Sequence, residues 1–122
     1  ETGDISMLTD GTEQREFLYA EDCCEALEAV MENYDELSSD DNLHITSFDA
    51  TTILDIGHII QGLFAEIGRS VSVTPAESKD EVQKDKRNEA DKFITKYWKP
   101  KTTIQEGIRN VFNDMKGEFN NA

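Results

Sequence analysis

Thr46–Gly68, TSFDATTILDIGHIIQGLFAEIG, is the one stretch of this chain that reads as buried on more than one side. Ile53, Ile56, Ile59, Ile60, Leu63, Phe64 and Ile67 recur at the i, i+3, i+4, i+7 spacing of an amphipathic helix. With His58 neutral, no charge stands between Asp55 and Glu66. Thr46-Ser47-Phe48-Asp49 offers an N-cap with an acid three residues on, and Gly68 offers the stop. Gly57 and Gly62 weaken a helix interior by about 1 kcal/mol each relative to Ala, so they point to a close-crossing neighbour or to a small pocket. This helix is the centre against which the other segments are expected to pack.

Outward from it, Thr12 to Leu37 carries Phe17, Ala20, Cys23, Cys24, Leu27, Val30, Met31, Tyr34 and Leu37 on one side, which predicts a first helix. After the central helix, Val71 and Val73 alternate in a short extended connection. Thr74-Pro75-Ala76-Glu77 then has the signature of a helix start, predicting a third helix from Pro75 to Trp98. Lys99-Pro100 breaks it. Thr102 or Thr103, with Gln105 or Glu106 three on, caps a fourth helix whose stripe is Ile104, Ile108, Val111, Phe112, Met115 and Phe119. The expectation is an all-α, small four-helix bundle-like single domain over residues 12–119. Residues 1–11 read as a leader scar (Glu1-Thr2-Gly3) and a flexible lead-in, and residues 120–122 as a frayed tail.

The 122 residues suffice for one core. The longest uncharged apolar run, Ile56–Ala65, is half a membrane span, so no membrane insertion is expected. The net charge of −14 is unevenly placed: residues 1–49 hold 15 acids and one base, Arg15, and the remainder is neutral. Such a surface repels nucleic acid and draws basic partners. The Glu21, Asp22, Glu25, Glu28, Glu32, Glu36 face of the first helix is the candidate surface for a protein partner with a basic patch.

Cys23-Cys24 cannot bridge each other within a helix. Buried thiols, an interchain bond giving a covalent homodimer, and a bond to a further part of a larger protein remain open. The loop Ser38–Asp49 has oxygen donors but puts Leu43 where a calcium loop turns on Gly, so it reads as an acidic loop. Asp55 and His58 have the spacing of half a carboxylate–histidine metal motif and lack the other half. Tyr97-Trp98 suits either an aromatic anchor for a partner or closure of the core. With no nucleophile triad, phosphate loop or metal signature, the expectation is a non-enzymatic, secreted or extracellular acidic protein acting by protein–protein binding, with no cofactor. The alternatives are a carrier of a small hydrophobic ligand, its cavity beside the central helix, and a disulfide-linked dimerisation domain.

Overall fold

The computed structural model describes residues 3–37, 43–81 and 90–120. Along the chain these form β1 (Asp4–Ser6), β2 (Gln14–Arg15), α1 (Ala20–Glu32), α2 (Tyr34–Leu37), β3 (Thr51–Thr52), α3 (Ile53–Glu66), β4 (Ser72–Thr74), a 3₁₀ turn (Phe93–Lys96) and α4 (Ile104–Asn120). The all-α bundle is therefore corrected to a mixed α/β arrangement. β1 pairs in parallel with β4, Ile5 opposite Val73, and β2 pairs antiparallel with β3, Arg15 opposite Thr51.

Each misplaced helix boundary has a local cause. The first helix starts at Ala20, because the backbone of Gln14–Arg15 is taken by the β3 ladder and Tyr19 is extended. The lead-in expected to be loose contains β1. The central helix starts seven residues later than Thr46. Phe48 is left-handed, with φ 54°, which no helical turn tolerates, and Thr52 is the true cap, its hydroxyl accepting from Asp55 N–H at 3.0 Å. Two further N-terminal amides of α3 are satisfied by the segment between β1 and β2: Ile53 N–H donates to Glu13 C=O and Leu54 N–H to Gly11 C=O. Gly11 sits at φ 76° in that turn, where an added Cβ would also strike Leu54.

The helix expected from Pro75 does not form. Ala76 N–H donates to Thr9 C=O, Asp10 N–H donates to Ser78 C=O, and Thr74 C=O accepts from Met7 N–H, so this backbone continues the β1–β4 partnership. The middle of that expected helix, residues 82–89, lies outside the described residues, as do residues 38–42 of the acidic loop and residues 121–122 of the tail. The fourth helix forms as read, from a reciprocal capping box: Glu106 N–H donates to Thr103 Oγ1 and Thr103 N–H to the Glu106 carboxylate.

The core has two parts. Ala26 of α1, Ile94 of the 3₁₀ turn and Trp98 are buried together, surrounded by Leu18, Val30, Ile45 and Phe48. Phe64 of α3 meets Phe112 of α4 edge-on at 5.1 Å, and Phe119 closes the trio at 5.1 and 5.3 Å. Glu66 and Arg109 tie the same helices by a two-point ion pair at 2.7 and 2.8 Å. Gly57 packs against Val73 of β4, as close crossing requires, whereas Gly62 faces open space. Among the described residues no helix is long and apolar enough to cross a membrane.

Candidate functional site

The residues singled out in the sequence are scattered by the fold. Asp22 does not face a partner: it is 3% exposed, and its carboxylate accepts from Lys101 N–H, Thr102 N–H and Thr102 Oγ1. Glu25 pairs with Lys101 Nζ at 2.7 Å, and Glu36 accepts from the Tyr97 hydroxyl at 2.6 Å, which holds that phenol above its ordinary pKa. Glu21, Glu28 and Glu32 are exposed. The acidic face is thus partly an internal device that seats the approach to α4. Trp98 is 7% exposed and closes the core, so the aromatic pair is not a joint anchor. Cys23 is half-buried, Cys24 is exposed, and both are free thiols. His58 Nδ1 lies 3.4 Å from Gln61 Oε1, and among the described residues no group of three His, Cys, Asp or Glu side chains is placed to hold a metal.

A different cluster is assembled by the parallel strands. β1 and β4 run side by side and end together at Ser6 and Thr74, and their continuations, residues 7–15 and 75–81, are bonded to each other. In open α/β sheets that end, outside the carboxyl termini of parallel strands, is where ligands bind. Thr9 Oγ1 donates to Glu13 Oε1 at 2.6 Å, while Glu13 Oε2 is buried without a hydrogen-bond partner. Arg15 Nη2 meets Asp80 Oδ2 at 2.8 Å. Asp10 accepts from the Thr12 hydroxyl and the Thr12 N–H, and these bonds, with a smaller attraction from Lys79, hold its carboxyl below the usual range. These residues bring carboxylates, hydroxyls and the Arg15 guanidinium to one end of the strand pair.

Sequence reasoning did not assemble this cluster, since Arg15 and Asp80 are 65 residues apart. Two signals pointed toward it: Arg15 as the single base among 15 acids, and the alternation of Val71 and Val73.

A recess elsewhere in the fold is apolar. A groove of about 460 Å³, open on one side, runs between Phe17–Ala20, α3 and α4, and no charged side chain lines it. It touches the central helix at Ile60 and Phe64, away from Gly57 and Gly62.

Comparison with known proteins bears on both. The family model described as the NAD dependent epimerase/dehydratase family matches residues 1–45. A GDP-L-fucose synthase of Sinorhizobium fredii (strain NBRC 101917 / NGR234) is 29% identical over 113 residues, 93% of this chain and 34% of its own length. Among solved structures, a GDP-6-OMe-4-keto-L-xylo-heptose reductase from C. jejuni has a TM-score of 0.72 at 18% identity, covering 94% of this chain and 34% of its own. RMD from Pseudomonas aeruginosa, solved as its NADPH complex, has a TM-score of 0.67 at 16% identity, covering 97% of this chain and 37% of its own. The chain spans about a third of the length of these relatives.

These likenesses are of fold: the chain matches α/β structures over about a third of their length, and with its own parallel β1–β4 pair they set the four-helix bundle aside. They also overturn the non-enzymatic reading, since a synthase and a reductase are among the matches. The signalling-type protein binder, the ligand carrier and the disulfide-linked dimer fall with it. A basic protein partner and a covalent homodimer find no support in free thiols and an acidic helix bonded to its own chain.

Proposed function

We propose that this chain is the sugar-nucleotide-binding third of an NAD(P)-dependent epimerase- or reductase-type enzyme. We assign the loop cluster beyond β1 and β4 to the nucleoside diphosphate of the substrate. The observation that carries this is the extent of the matches: 93–97% of this chain aligns with 34–37% of enzymes whose names include GDP-linked sugars or whose structure holds NADPH.

The dinucleotide itself does not fit the residues present. No two glycines of this chain stand in a Gly-x-Gly pair, and among the described residues neither β1 nor β4 runs through a tight glycine turn into a helix whose amides would cradle a pyrophosphate. We assign the seat of the cofactor outside this chain.

Electrostatics support placing the diphosphate at Arg15. In a half-chain with a net charge of −14, a phosphate group is repelled unless a cation is fixed beside it, and Arg15 is the only base there. Its planar fork suits phosphate oxygens, and the contact with Asp80 restricts its orientation. Glu13 Oε2 is a buried acceptor suited to a sugar or ribose hydroxyl donor.

The test is a kinetic split. In the full-length gene product, loss of NADPH absorbance is followed with a GDP-linked 4-keto sugar as substrate. Arg15→Gln should raise the KM for the sugar nucleotide by roughly ten- to a hundredfold, with the KM for NADPH unchanged. A wild-type protein that consumes no NADPH, or a variant with both constants unaltered, contradicts the proposal.

A further inference from the structure

We infer that the apolar groove between Phe17–Ala20, α3 and α4 is the seat of an apolar element from the remaining, cofactor-binding part of the same polypeptide. This rests on the chain being a third of such an enzyme. Phe17, Val111 and Met115 stand at the mouth of the groove and are 41%, 50% and 40% exposed, while Phe64, Phe112 and Phe119 form its floor. Its only side-chain hydroxyls are those of Tyr19, Thr102 and Thr103, and nothing charged lines it, so neither phosphate of a sugar nucleotide nor that of a dinucleotide has a counter-ion there. An exposed apolar patch of this kind marks a contact surface.

Two features favour the rest of the enzyme over other occupants. The solved relatives are large enough that this chain covers 34–37% of them, so most of such an enzyme lies outside the chain and must rest on some face of it. Interfaces between parts of one chain commonly bury about 600–1,500 Å². A second copy is a poor fit, because a two-fold contact would set this concave groove against the same concave groove and leave a void between them. The outer side of α4, with Arg109, Asn110, Asn113 and Asp114, is polar, so on this helix the groove side is the apolar one. Leu27, Met31 and Tyr34 on the α1–α2 side are single exposed apolar residues, and among the described residues no recess lies between them.

The test uses the full-length gene product carrying Val111→Cys, with maleimide labelling at residue 111 followed by peptide mass spectrometry. The inference expects labelling of the native protein to be slower than that of the urea-unfolded protein by roughly tenfold or more. A second variant, Val111→Asp, should lower the Tm of the full-length protein by roughly 5 °C. Labelling as fast as in urea, in a sample that still turns over NADPH, overturns the docking and leaves the enzyme reading standing. Protection that disappears when a dimer seen by light scattering is diluted to monomer assigns the groove to a second copy and overturns the inference. So does an apolar small molecule released on denaturation. A wild-type sample without turnover sinks the enzyme reading, and the inference with it.

Discussion

Thr74-Pro75-Ala76-Glu77 and Thr103-Ile104-Gln105-Glu106 carry the same helix-start signature, and only the second starts a helix. At Thr103 the signature is followed by a stripe ending in Phe112 and Phe119, which meets Phe64 of α3 and repays the ordering of the chain. At Thr74 it is followed by Glu77, Ser78, Lys79, Asp80 and Glu81, with no apolar face to bury. The backbone there has another partner, residues 3–10, which claims it from Ser72 to Ser78. A cap worth about 1 kcal/mol loses to a run of inter-segment hydrogen bonds. The strands this builds deliver the polar residues proposed to meet the substrate, so the proposed site depends on the helix that does not start here.

The largest effect that sharpens this contrast is expected at Asp22, whose buried carboxylate holds the turn delivering Thr103. Asp22→Ala leaves the Lys101 and Thr102 amides without their acceptor and should cost about 3 kcal/mol in urea unfolding. A loss below about 1 kcal/mol would mean the turn is held by α4 alone. The direct comparison of the two caps comes next. Thr103→Ala should lower stability by about 1 kcal/mol. Thr74→Ala, which removes an exposed hydroxyl bonded to Asp4, should change it by only a few tenths. Equal losses would return residues 74–81 to a helix.

Much of α3 and α4 was legible because each has ten or more residues in which periodicity accumulates. Spacing placed Phe64 on the apolar arc of α3, and Phe112 and Phe119 on the stripe of α4; their meeting is shown by the structure. The strands were not legible: Asp4–Ser6 and Ser72–Thr74 are three residues each, mostly polar, and partnered 68 positions apart. Nothing local marks such a pairing. The candidate site inherited that invisibility, since Arg15 and Asp80 are 65 residues apart and meet only in the folded chain. Conversely, the acidic face of α1 was legible as charge but not as structure, because Asp22 looks like its neighbours until the 101–102 turn arrives.

The smallest effect concerns acid. Hydrogen bonds from Ser6, Ser72 and Thr74 hold the Asp4 carboxyl below its ordinary range. A depressed folded-state pKa contributes stability that is present above the unfolded carboxylate pKa and lost as pH falls through the folded one. Protection of the Ile5–Val73 ladder amides, taken relative to their intrinsic exchange rate at each pH, should therefore fall as pH drops below the ordinary carboxylate range. In Asp4→Asn that acid-dependent step should be absent; its persistence would assign the step elsewhere.

The proposal that the loops beyond β1 and β4 take the nucleoside diphosphate of a sugar nucleotide is tested by an amide NMR titration of the chain with GDP. Saturable shifts confined to Thr9–Arg15 and Ala76–Asp80, abolished by Arg15→Gln, are expected. Shifts that map instead to the exposed Glu21, Glu28 and Glu32 side of α1, or that survive the loss of Arg15 unchanged, would contradict it.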